Sequence, residues 1–273
     1  MTRCLLPLLL AASYTASAVV IRHDVEDAEY QIPVSAFPAL ADMPGEGHGV
    51  LIAPQWVITV AHAVPSECEV TINGMPRKVE HVYMHPGYKK PPEALVNDAL
   101  ASGDSSRLVE FLADSDDIAL MKLASPIADV TPVALYREND EVGEIVELIG
   151  KGATGNGVDG LAIHAAHRTR LRRAFNVVVG ADSRWISYTF DTPPLALPLE
   201  GISGNGDSGG PVIIDHRGQK QLAGLASFDR YYPQSSVRAF HAGLYGQVVN
   251  SVRISRYITW IERVMSDAPQ QEG

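Results

Sequence analysis

Cysteine is nearly missing from this chain: its 273 residues include only Cys4 and Cys68. Cys4 falls within an apolar leader, so the remainder carries one thiol and can form no internal disulfide. Whatever fold it adopts must therefore be held by its core, and Cys68 is read as a buried, inert member of that core. Positive charge is also scarce. With 22 Lys and Arg against 32 Asp and Glu, the formal net charge is −10. No basic run is present to neutralise phosphates, which argues against a nucleic-acid partner. Long apolar runs are lacking too. The nine residues from Cys4 to Ala12 fall well short of the ~20 that span a bilayer as a helix. No membrane association is expected once this leader is gone.

The leader has the form of a secretory signal peptide. Arg3 supplies the positive start, Cys4 to Ala12 the apolar stretch and Ala16-Ser17-Ala18 the small-residue cleavage site. The expected product is an exported protein, secreted or periplasmic. Its apolar fraction of 46%, with 23 Gly and 18 Pro, fits a compact, turn-rich globule.

Chemistry concentrates in Gly204-Asn-Gly206-Asp207-Ser208-Gly-Gly210-Pro211. Four glycines around one serine leave backbone N–H groups free to approach a reacting carbonyl, which makes Ser208 the candidate nucleophile. A serine hydroxyl needs a histidine base and a carboxylate to orient that base. His62 follows two apolar β-branched runs, Val50 to Ile52 and Trp56 to Val60, which flank Pro54-Gln55 and predict a strand pair and turn. Asp117 stands just before the apolar run Ile118 to Leu123, a predicted buried strand. His81 and His85 do not read as metal ligands, because an i, i+4 pair on a strand lies about 13 Å apart. Asp114-Ser-Asp116-Asp117 lacks the spacing of a calcium loop. No cofactor and no metal are expected.

Thr59-Val-Ala-His62-Ala, Asp117-Ile-Ala-Leu and Gly206-Asp-Ser208-Gly-Gly-Pro resemble the three signature segments of the chymotrypsin/trypsin-like serine proteases, in that family's order. The resemblance extends from about Ile21 to Met265. The lack of disulfides, with Ala63 where a cysteine commonly follows the histidine, suggests a bacterial-type exported member. The resemblance implies an all-β protein of two six-stranded antiparallel Greek-key β-barrels followed by a C-terminal α-helix. On that reading residues 1–18 are the signal, 19–130 the barrel carrying His62 and Asp117, and 131–252 the barrel carrying Ser208. Residues 253–266 form the helix, since Ile254, Tyr257, Ile258, Ile261 and Met265 recur at helical spacing, and 267–273 a polar tail.

The resemblance also implies roles. His62, Asp117 and Ser208 form a catalytic triad acting on protein or peptide substrates, and the Gly206 and Ser208 N–H groups form an oxyanion hole. Ile202, six residues before the nucleophile, lies at the floor of the specificity pocket and favours an apolar or small side chain there. Ser227-Phe228-Asp229 binds the substrate backbone, and Gly243 lines the pocket wall. A new N-terminus at Val19, Val20 or Ile21 would pair with Asp207; Ile21 stands 41 positions before His62. Residues 91–115 read as an insertion bordering the cleft, and a monomer is expected.

Two other readings remain open. Gly206-Asp-Ser208-Gly-Gly210 also satisfies the G-x-S-x-G elbow of esterases, which requires a helix after the serine and its acid and histidine downstream. A protease fold that has lost activity and serves as a secreted binding protein is the second. Gly150 to Gly155 spells G-x-G-x-x-G, but Asn156-Gly157 breaks the helix a dinucleotide site needs, so it reads as a loop. Arg168, Arg170, Arg172 and Arg173 read as one solvated strand face.

Overall fold

The computed structural model describes residues 19–102, 104–161, 170–230 and 242–268. The expected signal peptide, Arg168 and most of the expected polar tail lie outside them. The chain begins with β1 (Val19–Ile21) and a short helix, α1 (Asp27–Tyr30). Six strands follow: β2 (Leu40–Asp42), β3 (His48–Ala53), β4 (Trp56–Thr59), β5 (Glu69–Ile72), β6 (Met75–Met84) and β7 (Ala119–Leu123). They close into a barrel in the order β2-β3-β4-β7-β6-β5.

The apolar runs around Pro54-Gln55 form the β3–β4 hairpin as expected, and Val50, Leu51, Val57 and Ile58 lose all solvent contact. β5 and β6 turn through Asn73-Gly74, both with positive φ. This is the mirror-image turn whose twist matches a hairpin. Cys68, expected inside, is exposed just before β5. The insertion folds as two helices, α2 (Glu93–Ser102) and α3 (Ser106–Ala113), packed on each other.

The second half starts with β8 (Ala134–Leu135), β9 (Ile145–Gly150), β10 (Thr154–Asn156) and β11 (Gly160–Leu161). It continues with β12 (Arg172–Val177), β13 (Gly180–Ala181), β14 (Trp185–Thr189) and β15 (Gly201–Ile202). β16 (Pro211–His216), β17 (Gln219–Arg230), β18 (Val248–Arg253) and α4 (Ile254–Asp267) complete it. As expected, the second half is mostly antiparallel β and ends in the C-terminal helix, and among the described residues its strands form a half-barrel. The sheet runs open as β12-β9-β16-β17-β18-β14-β13, with β8 beside β17. A separate four-stranded sheet, β11-β10-β1-β15, draws the N-terminal strand into this half. It is a half-barrel, and it packs on the first barrel through one shared core in which Leu120 and Met121 join Leu222, Leu225, Val252, Tyr257 and Ile261.

The arginine face is corrected as well. Arg172 is fully buried, and its Nε and one terminal N–H group donate to the two Asp27 oxygens at 2.7 Å each. Its other terminal nitrogen donates to the Arg170 carbonyl oxygen at 2.9 Å. A fork-on-carboxylate pair satisfies the charge that burial would otherwise penalise. Periodicity does not reveal the partner, which lies far away in sequence. Gly150 to Gly155 joins two strands and opens no helix, as the sequence predicts.

Candidate active site

His62 sits in a single helical turn, Ala61–Ala63, one residue after β4, and Asp117 stands two residues before β7. β4 and β7 are hydrogen-bonded neighbours with Thr59 opposite Ala119, so pairing alone carries the two residues to the same end of the barrel. The His62 N–H donates to Asp117 Oδ1 at 2.9 Å, and Nδ1 lies 2.6 Å from Oδ2. The other ring nitrogen, Nε2, is 2.9 Å from Ser208 Oγ. One imidazole thus bridges acid and hydroxyl drawn from both halves of the molecule.

Burial alone would lower the pKa of His62, but the adjacent Asp117 carboxylate more than offsets it, and the imidazole titrates above its ordinary value. Asp117 is 6% exposed. Desolvation raises its pKa, while His62, the Ser227 hydroxyl and the His62 N–H together pull it below the usual carboxylate range. Ser227 Oγ donates to Asp117 Oδ2 at 2.7 Å. β17 shifts register between Ala226 and Phe228, and such a bulge re-aims a side chain out of the strand's alternation.

The Ser208 loop is pinned from several sides. Gly209 has φ +76°, and a Cβ there would lie 2.1 Å from the His48 carbonyl oxygen, so both conformation and space demand glycine. The His48 N–H donates to the Ser208 carbonyl oxygen at 2.7 Å. The N–H groups of Asp207, Gly209 and Gly210 are taken by the carbonyls of Gly204, Ala226 and Asp207. Among the described residues, those of Gly206 and Ser208 have no partner.

Asp207 is buried at 2% exposure and accepts from the Gly152 N–H at 2.7 Å and the Gly204 N–H at 2.9 Å. The His48 ring stands between Asp207 Oδ1, 3.7 Å away, and Asp42 Oδ1, 3.3 Å away. Lys151 Nζ holds Asp42 at 2.7 Å. A Cβ on Gly152 would lie 2.7 Å from the Asp207 nitrogen, which explains a glycine in that loop without any nucleotide. Sequence reasoning missed His48, Asp42 and Lys151. His48 follows a glycine at a strand start with no local sign of its partners.

The cleft holds about 800 Å³ and runs along Ser203 to Gly206, Ser208 and Ala226 to Asp229, with Leu108, Val109 and Leu112 of α3 along its edge. The insertion borders the cleft as expected. Ile202 does not. It pairs with Val20, is fully buried in the core of the second half, and leaves the wall to Ser203. The reading of Ile202 as the pocket floor is therefore corrected: β15 alternates its faces, and Ile202 takes the inner one. Gly243 has φ +89° and packs on Val20 and Leu161, and it is not among the residues lining the cleft. Ser227, Phe228 and Asp229 do line it.

Burial pushes the Asp229 carboxyl up to about 7, against a smaller downward pull from the side-chain amide of Gln247. Asp114 is taken by Lys89, Asp116 by Arg184 and Tyr257, and Asp117 by His62. The chain after Ser208 enters β16, not the helix an esterase elbow requires.

The family model described as Trypsin matches residues 28–261. This chain belongs to the trypsin family. The family is one of serine endopeptidases, and this member is a hydrolase of that kind. Curated relatives include glandular kallikrein-10 of Rattus norvegicus, 25% identical over 81% of this chain and 81% of its own length. Serine protease SP24D of Anopheles gambiae is 25% identical over 80% of this chain and 71% of its own. Complement C1s subcomponent of Sus scrofa is 26% identical over 80% of this chain, which spans only 32% of that longer protein. A solved structure, neuropsin, a serine protease expressed in the limbic system of mouse brain, superposes with a TM-score of 0.61 at 20% identity. It covers 86% of this chain and 98% of that one, and shows the fold.

Proposed function

We propose that this trypsin-family chain is an exported serine endopeptidase that cleaves peptide bonds through an acyl-enzyme. One observation carries the reading: His62 lies within hydrogen-bonding reach of Asp117 and Ser208 at once, at 2.6 and 2.9 Å. Ser208 Oγ attacks the substrate carbonyl while His62 Nε2 takes its proton. Asp117 fixes the tautomer and stabilises the imidazolium, and His62 returns the proton to the leaving amine. The free N–H groups of Gly206 and Ser208 receive the developing oxyanion, a contribution of about 3 kcal/mol per donor in enzymes of this chemistry. Phe228 and Asp229, on a strand bordering the cleft, align the substrate backbone.

Export is followed by trimming to Val19, Val20 or Ile21, whose ammonium pairs with Asp207. Support for this comes from β1 pairing with Gly201 and Ile202, a few residues before the buried Asp207. The protein acts as a monomer, without nucleic acid or membrane. Labelling with a serine-directed fluorophosphonate tests the core of the proposal. Wild type labels and cleaves peptides, and Ser208→Ala does neither. Unlabelled wild type would make the chain a binding protein, and ester hydrolysis without peptide cleavage would make it an esterase. N-terminal sequencing of the active form tests the trimming, which fails if full activity accompanies a start far from residues 19–21.

A further inference from the structure

Asp116, the residue before the acid of the site, has partners that nothing in the proposed mechanism requires. The Ile118 N–H donates back to the Asp116 carbonyl oxygen at 2.9 Å, which makes Asp117 the central residue of a three-residue turn. Whatever fixes Asp116 therefore fixes where the Asp117 carboxylate points. The Asp116 N–H donates to the Gly87 carbonyl oxygen at 3.2 Å. Its carboxylate Oδ1 accepts from Arg184 Nε at 2.9 Å and from the Tyr257 hydroxyl at 2.8 Å. A Cβ on Gly87 would stand 1.9 Å from Asp116 Oδ2, so a glycine keeps the space for this side chain open. His85 Nδ1 lies 3.4 Å from that oxygen, but it accepts the Gly87 N–H at 3.1 Å and so carries no proton to offer. Burial alone would raise the Asp116 pKa. The bonds from Tyr257 and Arg184 nevertheless hold it below the usual carboxylate range, and the group stays ionised through neutral pH.

Both donors come from the half of the molecule that carries Ser208. Arg184 lies in the turn between β13 and β14, where Asp182 Oδ1 accepts the Arg184 and Trp185 N–H groups at 2.7 and 2.8 Å. The Arg253 N–H, at the end of β18, donates to the Arg184 carbonyl oxygen at 2.8 Å. Tyr257 belongs to α4 and is buried in the shared core. The charges that raise the His62 pKa are those of Asp117 and Glu46, so the use of the Asp116 charge lies in what it grips rather than in its field at the imidazole. We propose that Asp116 is a positioning residue: gripped by Arg184 and Tyr257, it holds the Asp117 turn so that His62 stays aligned on Ser208. This rests on the triad reading given above.

Steady-state kinetics on the purified protein tests it. Asp116→Ala should lower kcat by about 100-fold, the cost of misplacing a catalytic group by about an ångström. KM should stay unchanged, because the substrate's own contacts are intact. Asp116→Asn keeps an oxygen for both donors and should restore most of kcat. Tyr257→Phe and Arg184→Gln should each lower kcat, and neither should lower it further once Asp116 is alanine, since groups acting through one contact are not additive. Glu262→Gln, which breaks the exposed pair of α4 with Arg137, should leave kcat unchanged. Wild-type kcat in Asp116→Ala, an asparagine as damaging as the alanine, or additive losses would each overturn the proposal. If Asp116→Ala does not fold, Tyr257→Phe decides, because it removes one donor and leaves the ring packed: lower kcat at unchanged KM supports the role, and wild-type kcat overturns it. Fluorophosphonate labelling separates the two readings. A wild type that does not label overturns the triad itself, whereas a labelled wild type matched by its Asp116 variants overturns the positioning role alone.

Discussion

His62 acts as a base only when neutral, and the Asp117 charge holds its pKa above the ordinary histidine value, which is about 6.5. The acid limb of kcat/KM should therefore be centred above about pH 6.5, with activity rising as pH increases; a limb at or below 6.5 would contradict this. Asp117→Asn should shift the tautomer and lower kcat by about 10⁴-fold while leaving the protein folded, which single-turnover kinetics and circular dichroism can separate. Asp229 adds a second titration in the cleft. Its carboxyl is held near 7 by burial, so its charge develops as pH rises through neutrality. KM for a peptide that presents a cationic side chain there should fall across that range, and Asp229→Asn should abolish the change while kcat keeps its His62 limb. The meeting of His62, Asp117 and Ser208 could be read from sequence because each sits in a short stretch whose residue types are fixed by local geometry. Ile202 could not be placed by counting back from the nucleophile, since which face it takes depends on β15 pairing with a strand some 180 residues earlier.

Among the elements, α3 bears most directly on selectivity. Leu112 joins His62, Tyr88, Trp185 and Phe228 around an apolar hollow of about 210 Å³ beside the imidazole, and Trp185 Nε1 donates to the Ala113 carbonyl oxygen at 2.9 Å. Leu112→Ala should raise KM for extended peptides with an apolar side chain at this position by about fivefold, in line with about 1 kcal/mol for part of an apolar pocket. KM for a small ester should stay unchanged. The helical character of 106–113 shows only faintly in the sequence, while its seat along the cleft is set by packing against β17. The first barrel, with its alternating strands, was legible. The half-barrel was less so, because β1 leaves the N-terminal part of the chain and pairs with β10 and β15.

For the whole molecule, the core does what disulfides do in many small domains. After residue 18 the only cysteine is the exposed Cys68, so the melting temperature of a chain starting at residues 19–21 should be the same with and without a thiol reductant; a fall on reduction would reveal a covalent link between copies. Ile261 in α4 is fully buried in the core shared by both halves. Ile261→Ala should cost about 2–5 kcal/mol of unfolding free energy, read as a lower denaturant midpoint at unchanged slope.

That shared core also sets how the enzyme fails. His62 and Asp117 belong to one lobe and Ser208 to the other, so the 2.9 Å contact that activates the hydroxyl in the proposed mechanism spans a seam rather than lying inside a lobe. A slip of an ångström between the lobes would leave every strand intact and the nucleophile idle. In a slow urea ramp turnover should thus vanish ahead of the far-ultraviolet signal, and catalysis becomes the most sensitive gauge of how tightly the two lobes are clasped.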